Sequence, residues 1–265
     1  MSLFNSIKLF IHPRVMTMLF LGFSAGVPIL LIFSTLGLWL NEAGVVKSTI
    51  TFFSWAALGY SFKFVWAPLV DRLPLPVITK ALGRRRAWML VSQLAIMGAI
   101  LLMSSVDPKA SVDSLTIMAY GAVLLGFSSA TQDIVIDAYR IESADMDLQS
   151  MLSATYIAGY RIGMLVAGAG GLFIASYLGS TKELYSFDAW SGTYLMMAGV
   201  MLIGVATTLI INEPKSERKE TEYSTTDYSR FFLLFLLIVV AFILTFIATA
   251  DFVKTAKEIL TDTFA

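Results

Sequence analysis

Cysteine is absent from this 265-residue chain, and histidine occurs only once. Without cysteine there is no disulfide, no thiolate metal site and no cysteine nucleophile. The single histidine, His12, precedes the first apolar run, so neither a Ser-His-Asp set nor a histidine-based metal site is expected in the hydrophobic segments. A Gly-rich phosphate loop is missing as well. We therefore expect that the protein is not an enzyme and that it needs no metal or organic cofactor.

Charged residues are also scarce. They make up 14% of the chain, whereas 57% of its residues are hydrophobic; in a soluble domain the charged share is about a quarter. Basic and acidic residues are equal in number, at 19 each, so no basic field indicates a nucleic-acid partner. The composition predicts an all-α integral membrane protein surrounded by lipid.

Seven apolar runs are long enough to cross a hydrocarbon core of roughly 30 Å. They cover residues 15–40, 49–70, 87–106, 115–138, 151–178, 190–211 and 231–250. The first run is too long for the core of a cleavable signal peptide. The polar stretch 212–230 indicates a linker. We therefore expect a six-helix bundle over residues 1–211, a cytoplasmic linker over 212–230, and a seventh helix with a tail over 231–265.

The basic residues are unevenly divided between the two sides of this bundle. With a cytoplasmic N-terminus, 12 lysines and arginines fall in the inside segments and 5 in the outside segments. Short cytoplasmic loops carry the excess of positive charge in membrane proteins. The sequence therefore predicts a multi-pass protein whose N-terminus is cytoplasmic.

Four charged residues fall inside the apolar runs. Asp133 and Asp137 stand four residues apart and project from one face of a helix. A carboxylate at the centre of a bilayer costs at least about 2.5 kcal/mol, so it normally has a partner or faces a cavity. Lys63 and Arg161 are the candidate partners. Lys63 and Asp133 are expected at similar depth, and Arg161 near the midplane.

These charges permit two interpretations. Asp133 can exchange a proton, so it is a candidate proton-coupling residue, with Asp137 as a second; a purely structural ion pair is the alternative. Arg161 has a planar guanidinium that suits a carboxylate or a phosphate, and with Lys63 it is a candidate contact for an anionic solute. Aromatic residues cluster around these charges, among them Tyr60, Tyr156 and Tyr160. Tyr60 is expected either to anchor its helix or to line a cavity.

Small residues recur at intervals of four in two of the runs. Gly22 and Gly26 lie in the first run, and Gly159, Gly163, Ala167 and Gly171 in the fifth. Such stripes let another backbone approach closely, either for ordinary packing or for a sliding contact. A stripe without a partner inside the chain would favour pairing with a second chain. Pro28 should kink the first helix.

Five motifs resemble those of the AmpG-type muropeptide permeases, which belong to the major facilitator superfamily. The resemblance extends from about Ile11 to Pro214, in order along the chain. The motifs are Gly22-Phe-Ser-Ala-Gly-Val-Pro28, Tyr60-Ser-Phe-Lys-Phe-Val-Trp-Ala-Pro-Leu-Val-Asp-Arg72, Gly83-Arg-Arg-Arg-Ala-Trp88, Thr131-Gln-Asp-Ile-Val-Ile-Asp-Ala138 and Gly159-Tyr-Arg-Ile-Gly-Met-Leu-Val166.

The resemblance implies proton-driven import of anhydro-muropeptides across a bacterial inner membrane, for cell-wall recycling. It implies that substrate is bound by Lys63, Arg161, Tyr60, Tyr160 and Gln132. It also implies a conformational loop between the second and third helices, similar to the superfamily signature Asp-Arg-x-Gly-Arg-Arg. The loop residues are Asp71, Arg72, Gly83, Arg84 and Arg85, interrupted here by residues 74–82.

Such permeases resemble two six-helix halves around a central cavity. This chain corresponds to the N-terminal half plus one helix, so we expect transport to need a second half, from a separate chain or a homodimer. A non-transporting membrane scaffold or a truncated product is the alternative from another class. Another anionic solute, such as acetyl-CoA, also fits the basic residues.

Overall fold

The computed structural model describes residues 12–53, 56, 58–75 and 77–214, together with 226, 227, 229, 230, 233, 234, 237 and 240. Most of the predicted seventh helix, 231–250, and the tail after it lie outside the described residues. The chain divides into two compact units, Met1–Glu217 and Arg218–Ala265.

Five helices in the described residues are long and apolar enough to cross a membrane. In order along the chain they form the first, third, fourth, fifth and sixth spans. Their bounds are Pro13–Glu42, Arg84–Ser104, Val112–Ser143, Met146–Tyr177 and Phe187–Ile210. The predicted all-α membrane fold is confirmed, and these helices with the second segment form a half-bundle.

The second apolar run, here called the second span, is broken. Helical segments cover Lys47–Phe53, Leu58–Phe62 and Ala67–Arg72, and a 3₁₀ turn covers Lys63–Val65. Pro68 lacks an amide hydrogen, and its ring would clash with the carbonyl of the residue four positions earlier, so a regular α-helix cannot continue through this point. The prediction of one continuous helix over residues 49–70 is therefore wrong at Lys63–Val65.

The first and fifth spans each contain a π turn, at Leu31–Thr35 and Val166–Gly170. The first of these follows Pro28, where a kink was predicted. A π turn disturbs the regular ladder of backbone hydrogen bonds, and two buried hydroxyls bond to carbonyls in these turns. Thr35 donates to the carbonyl of Ala167 at 3.1 Å, and Tyr194 donates to the carbonyl of Leu31 at 2.8 Å.

The two glycine stripes pack against each other. Gly22 and Gly26 of the first span lie against the backbone carbonyls of Tyr156 and Tyr160 in the fifth, and a Cβ at either glycine would overlap those oxygens. Glycines of the fifth span likewise lie against the backbone of the first. A Cβ at Gly159 would overlap the carbonyl oxygen of Leu19, and a Cβ at Gly163 would overlap that of Phe23. The stripes therefore have a partner inside this chain.

The remaining spans close the core. The third span packs against the fourth and sixth, and the second packs against the fourth. An aromatic cluster fills part of the interior: the rings of Trp39 and Trp190 stack at 5.7 Å, and that of Tyr194 lies 4.8 Å from Trp39. This packing holds the first and sixth spans together beside the π turn of the first.

Candidate functional site

Asp133 in the fourth span forms the centre of the candidate site. It is 8% exposed, and its Oδ2 lies 3.8 Å from Nζ of Lys63. Its Oδ1 accepts a hydrogen bond from the hydroxyl of Tyr156 at 3.4 Å. Lys63 belongs to the 3₁₀ turn of the second span. Three spans therefore meet at one buried carboxylate, and the predicted pairing of Lys63 with Asp133 is present.

The second span lies close along the fourth. Tyr60 donates to the hydroxyl of Ser129 at 2.7 Å, and Trp66 donates to Thr131 at 3.1 Å. The side chains at positions 60, 63 and 66 thus all contact the fourth span. Close approach is possible because Gly126 faces the backbone of the second span, where a Cβ would overlap the carbonyl oxygen of residue 56.

Tyr160 and Gln132 flank this carboxylate in different surroundings. Tyr160 is half-buried, with its ring 6.0 Å from that of Tyr156. Gln132 is fully buried, and its Nε2 donates to Ser24 of the first span at 3.4 Å. Gln132 therefore contacts the first span within the bundle rather than an exposed surface. Its part in substrate binding stays a prediction.

Arg161 and Asp137 lie outside the central contacts. Arg161 is exposed, and among the described residues no salt bridge joins it to Asp133. At about 100° per residue, it points roughly 160° away from Gly159, which faces the first span. Asp137 is half exposed and pairs with Arg140 at 3.5 Å. Of the two candidate cations, only Lys63 pairs with Asp133 in the described residues.

A second charged cluster joins the ends of three spans, at what we call the arginine-rich end of the bundle. Arg85, which lies in the first turn of the third span and is 2% exposed, donates to Asp71 of the second span at 2.5 Å. It also donates twice to Glu142 of the fourth span, at 2.9 and 2.5 Å. Residues 74–82, which interrupt the loop signature, include a short helix, Ile78–Leu82. Despite this insertion, Asp71 contacts Arg85.

The other predicted loop residues lie around this cluster. Gly83 precedes the third span with a φ of +86°, a left-handed conformation that favours glycine. Arg84 is half-buried and Arg72 is exposed. The proximity of Asp71, Gly83 and Arg85 follows the predicted grouping, and a conformational role for the five residues stays a prediction.

Three further residues make close contacts with these clusters: Tyr156 was predicted only as an aromatic neighbour of the charges, and Glu142 and Glu213 were not predicted. Tyr156 reaches Asp133, Glu142 holds Arg85, and Glu213 accepts from the backbone amides of Arg85 and Arg86 at 2.7 and 3.0 Å. Tyr156 lies one turn before Tyr160, a spacing that places both on one face. Glu142 and Glu213 each lie at the end of an apolar run, where solvation alone accounts for a charge, so their burial is not visible in the sequence.

The arrangement around Asp133 combines a group that can bind a proton with two potential donors. A neutral Asp133 would no longer attract the ammonium group of Lys63. The side chain of Lys63 is 37% exposed, so that ammonium group could then contact a ligand. The site can therefore link protonation of the carboxylate to the availability of a cation for an anionic ligand. A phenol at 3.4 Å and half-buried aromatic rings next to it supply further contacts.

The sequence matches the Major Facilitator Superfamily over residues 15–256. One similar relative is "Putative transporter AmpG 4" of Rickettsia conorii, which is 35% identical over 213 residues, 80% of this chain and 49% of the relative. Another is "Anhydromuropeptide permease" of Escherichia coli K12, which is 36% identical over 209 residues, 78% of this chain and 39% of that permease. The chain thus spans about half the length, or less, of these curated relatives.

The family match covers most of the chain and includes all the spans described above. It is accompanied by relatives whose names are those of a transporter and a permease. It also agrees with the helical membrane fold and confirms the resemblance drawn from the five motifs. The chain therefore belongs to the Major Facilitator Superfamily.

Proposed function

We propose that this chain is the N-terminal half of a proton-coupled carrier that imports anhydro-muropeptides across a bacterial inner membrane. Its N-terminus lies in the cytoplasm in this proposal. The observation that carries it is the buried Asp133, paired with Lys63 and contacted by Tyr156, inside a bundle of this family. The name of the Escherichia coli relative supports the choice of cargo.

In the proposed cycle, Asp133 carries the proton. While it is ionised, it holds Lys63, and the pair neutralises itself inside the bundle. When Asp133 takes up a proton, Lys63 loses its counter-ion and can bind a carboxylate of the solute. Return of the proton to the cytoplasm restores the pair and displaces the anion. Binding of proton and solute are therefore coupled through one lysine.

Arg161 supplies a second contact in this proposal. An exposed arginine in the middle of a membrane-length helix is costly against lipid, so it is expected to face protein or water. Its guanidinium suits a second anionic group on the solute or a carboxylate on the facing half. One half-bundle offers a single wall for the solute, so we propose that a second half completes the cavity.

The glycine stripes bear on the choice of partner. They are occupied by contacts between the first and fifth spans of the same chain, so these two stripes are not free to pair with a second copy of the chain. A separate chain that supplies the C-terminal half is therefore the proposed partner. The internal packing of the stripes also gives no support to a scaffold that pairs through them.

The test is uptake of a labelled anhydro-muropeptide by cells that lack their own permease. The chain is expressed alone, with a C-terminal half of a related permease, and as Asp133→Asn with that half. We expect uptake only from the pair, and loss of accumulation driven by the proton gradient in the variant. Glu183→Gln, at an exposed position between the fifth and sixth spans, is the matched control.

The alternatives predict other outcomes. Full uptake by the chain alone as a monomer would contradict the half-carrier proposal. Uptake of acetyl-CoA but not of muropeptide by the pair would move the function to another anionic solute. If neither solute is carried and Asp133→Asn behaves as the parent protein, a membrane scaffold is the better explanation.

A further inference from the structure

Glu213, at the end of the sixth span, caps the beginning of the third. Its Oε1 accepts from the amide of Arg85 at 2.7 Å, and its Oε2 accepts from the amide of Arg86 at 3.0 Å. The first amides of a helix have no partner within the helix, and the helix dipole favours a carboxylate at this end. The residue before the third span, Gly83, has no side chain that could provide the cap. Glu213, which lies three residues after the sixth span, supplies it.

Arg86 makes the reverse interaction. Its Nε donates to the carbonyl of Thr208 at 2.9 Å, and its Nη2 donates to the carbonyl of Leu209 at 2.7 Å. Both carbonyls belong to the last turn of the sixth span, where backbone acceptors lack partners and a cation is favourable. The beginning of one span and the end of another thus exchange caps of opposite charge.

Gly83 makes room for this exchange. A Cβ at this position would overlap the side chain of Glu213, and a φ of +86° disfavours any residue with a side chain. Two independent constraints therefore select glycine immediately before the third span. A further contact runs beside it, since Tyr139 of the fourth span donates to the carbonyl of Asn212 at 3.2 Å.

Arg85 connects this exchange to the charged cluster. Its backbone amide is held by Glu213, and its guanidinium is held by Asp71 and Glu142. We propose that Glu213 is a positioning residue: it fixes the backbone of Arg85, and so determines where the guanidinium meets Asp71 and Glu142. The ends of the second, third, fourth and sixth spans are then one cooperative unit. This inference holds whatever solute the protein carries.

Hydrogen–deuterium exchange of the full chain in detergent tests the proposal. Glu213→Gln keeps the length of the side chain but removes its charge and one acceptor. We expect the amides of Arg85 and Arg86 to exchange about tenfold faster, the change that accompanies loss of a charge-assisted hydrogen bond. Peptides that contain Asp71 and Glu142 should also exchange faster, by about threefold, because they open together with Arg85.

Ser111→Ala is the matched control. Ser111 caps the fourth span by accepting from the amide of Ser114 at 3.0 Å, and it takes no part in the Arg85 contacts. Loss of this cap should speed exchange only in the residues that follow it. If Glu213→Gln speeds exchange only at residues 84–87, or nowhere, Glu213 is at most a local cap and the proposal is wrong.

A second variant keeps the test decisive if Glu213→Gln does not fold. Glu213→Asp retains the charge and shortens the side chain by one methylene group. It should show the same pattern of faster exchange with a smaller amplitude, including the peptides with Asp71 and Glu142. Faster exchange confined to the first turn of the third span would overturn the proposal in this variant as well.

Discussion

At the level of single residues, the partners of the central ion pair are unequally buried. The side chain of Asp133 is 11% exposed, and that of Lys63 is 37% exposed. A lysine that keeps access to water can lose its partner at little cost, whereas a buried carboxylate cannot. The pair is therefore expected to respond differently when one member or the other is removed.

Lys63→Met should destabilise the protein more than Asp133→Asn. The first variant leaves a buried carboxylate without its cation, which should cost about 1 to 3 kcal/mol, between the values for exposed and fully buried pairs. The second leaves a lysine that water can solvate, and should cost less than about 1 kcal/mol. Thermal unfolding in detergent measures both changes. The double variant should recover most of the loss in Lys63→Met, and equal losses in the two single variants would contradict the argument.

Tyr185 lies between the fifth and sixth spans, and we expect its ionisation to destabilise the folded protein at alkaline pH. Burial, together with the hydrogen bond that it donates to Asp107 at 2.6 Å, raises the pKa of its phenol. In the unfolded chain tyrosine ionises at about pH 10. The folded state holds the proton more tightly, so this stabilisation is present below about pH 10 and is lost as the pH rises further.

Tyr185→Phe should therefore flatten the decline of the unfolding temperature above about pH 10, although it lowers stability at neutral pH. Tyr177→Phe removes one phenol at an exposed position and serves as the control. A decline in Tyr185→Phe as steep as that of the parent protein would show that another group causes the alkaline loss.

Residue-level prediction from the sequence succeeded where lipid leaves few choices. A charge inside an apolar run needs a partner, and that requirement led to Lys63 and Asp133. The same argument offered Arg161 as a partner, but helix phase directs it away from the first span. Glu213 could not be foreseen, because its partners are backbone amides that every sequence contains.

At the scale of helices, the contact between the first and fifth spans depends on the absence of side chains. A Cβ at Gly163 would overlap the carbonyl oxygen of Phe23. Backbones this close gain dispersion energy that larger residues would forfeit. The periodicity in the sequence predicted such packing but did not identify the helix on the other side.

Gly163→Leu should force these two spans apart and cost about 3 kcal/mol or more, near the upper end for overpacked cores. We expect a lower yield of folded protein and a lower unfolding temperature. Gly98→Leu is a matched control, because Gly98 lies in a membrane span and a Cβ built there meets nothing within 4 Å beyond the adjacent backbone of its own helix. Equal losses in both variants would mean that leucine itself, rather than the contact with Phe23, is the cause.

The hydroxyls at the π turns give a second prediction for the helices. Thr35→Val and Tyr194→Phe each remove a donor to a buried carbonyl, and each should cost about 1 to 3 kcal/mol. Thr207→Val is the control, because Thr207 donates to the carbonyl of Ile203 within its own helix at an exposed position. It should change the unfolding free energy by less than about 0.5 kcal/mol. Similar losses for Thr35→Val and Thr207→Val would contradict a special role at the π turns.

The π turns and the broken second span show where sequence periodicity reaches its limit. Length and hydropathy identify a membrane span, but they do not report the partner of each carbonyl. Pro28 correctly predicted an irregularity in the first span. In the fifth span the turn falls on a run of small residues, Ala167 to Gly171, which also suits a regular interface. Pro68 was the available signal for the break beside Lys63.

At the scale of the whole molecule, the six spans of the half-bundle lie close to the predicted apolar runs. Hydrocarbon thickness sets the length of a span, so this part of the fold follows from composition. Which spans pack against each other was harder to predict from the sequence, because lipid-facing and protein-facing surfaces are both apolar. The charges of the candidate site and the presence of Tyr156 near them were predicted, but the hydrogen bond from Tyr156 to Asp133 was not.

The absence of cysteine permits a direct test of the predicted orientation. Lys109→Cys and Lys80→Cys place single thiols at exposed positions in loops on opposite sides of the membrane. With a cytoplasmic N-terminus, a membrane-impermeant maleimide added to spheroplasts should label position 109 and leave position 80 unlabelled until the membrane is opened. The reverse pattern would invert the proposed direction of the bundle.

The two π turns have a consequence for insertions and deletions. Each turn holds one residue more than an α turn, so the helix beyond it is rotated by roughly 100° relative to an unbroken helix. Because the turns lie side by side, both spans change phase at the same level. Deleting Ala169 alone should turn Gly171 away from Thr35. Also deleting Phe33 should not restore this contact, because it turns Thr35 away from Gly171 in the same manner. The two deletions together should therefore be tolerated no better than either one alone.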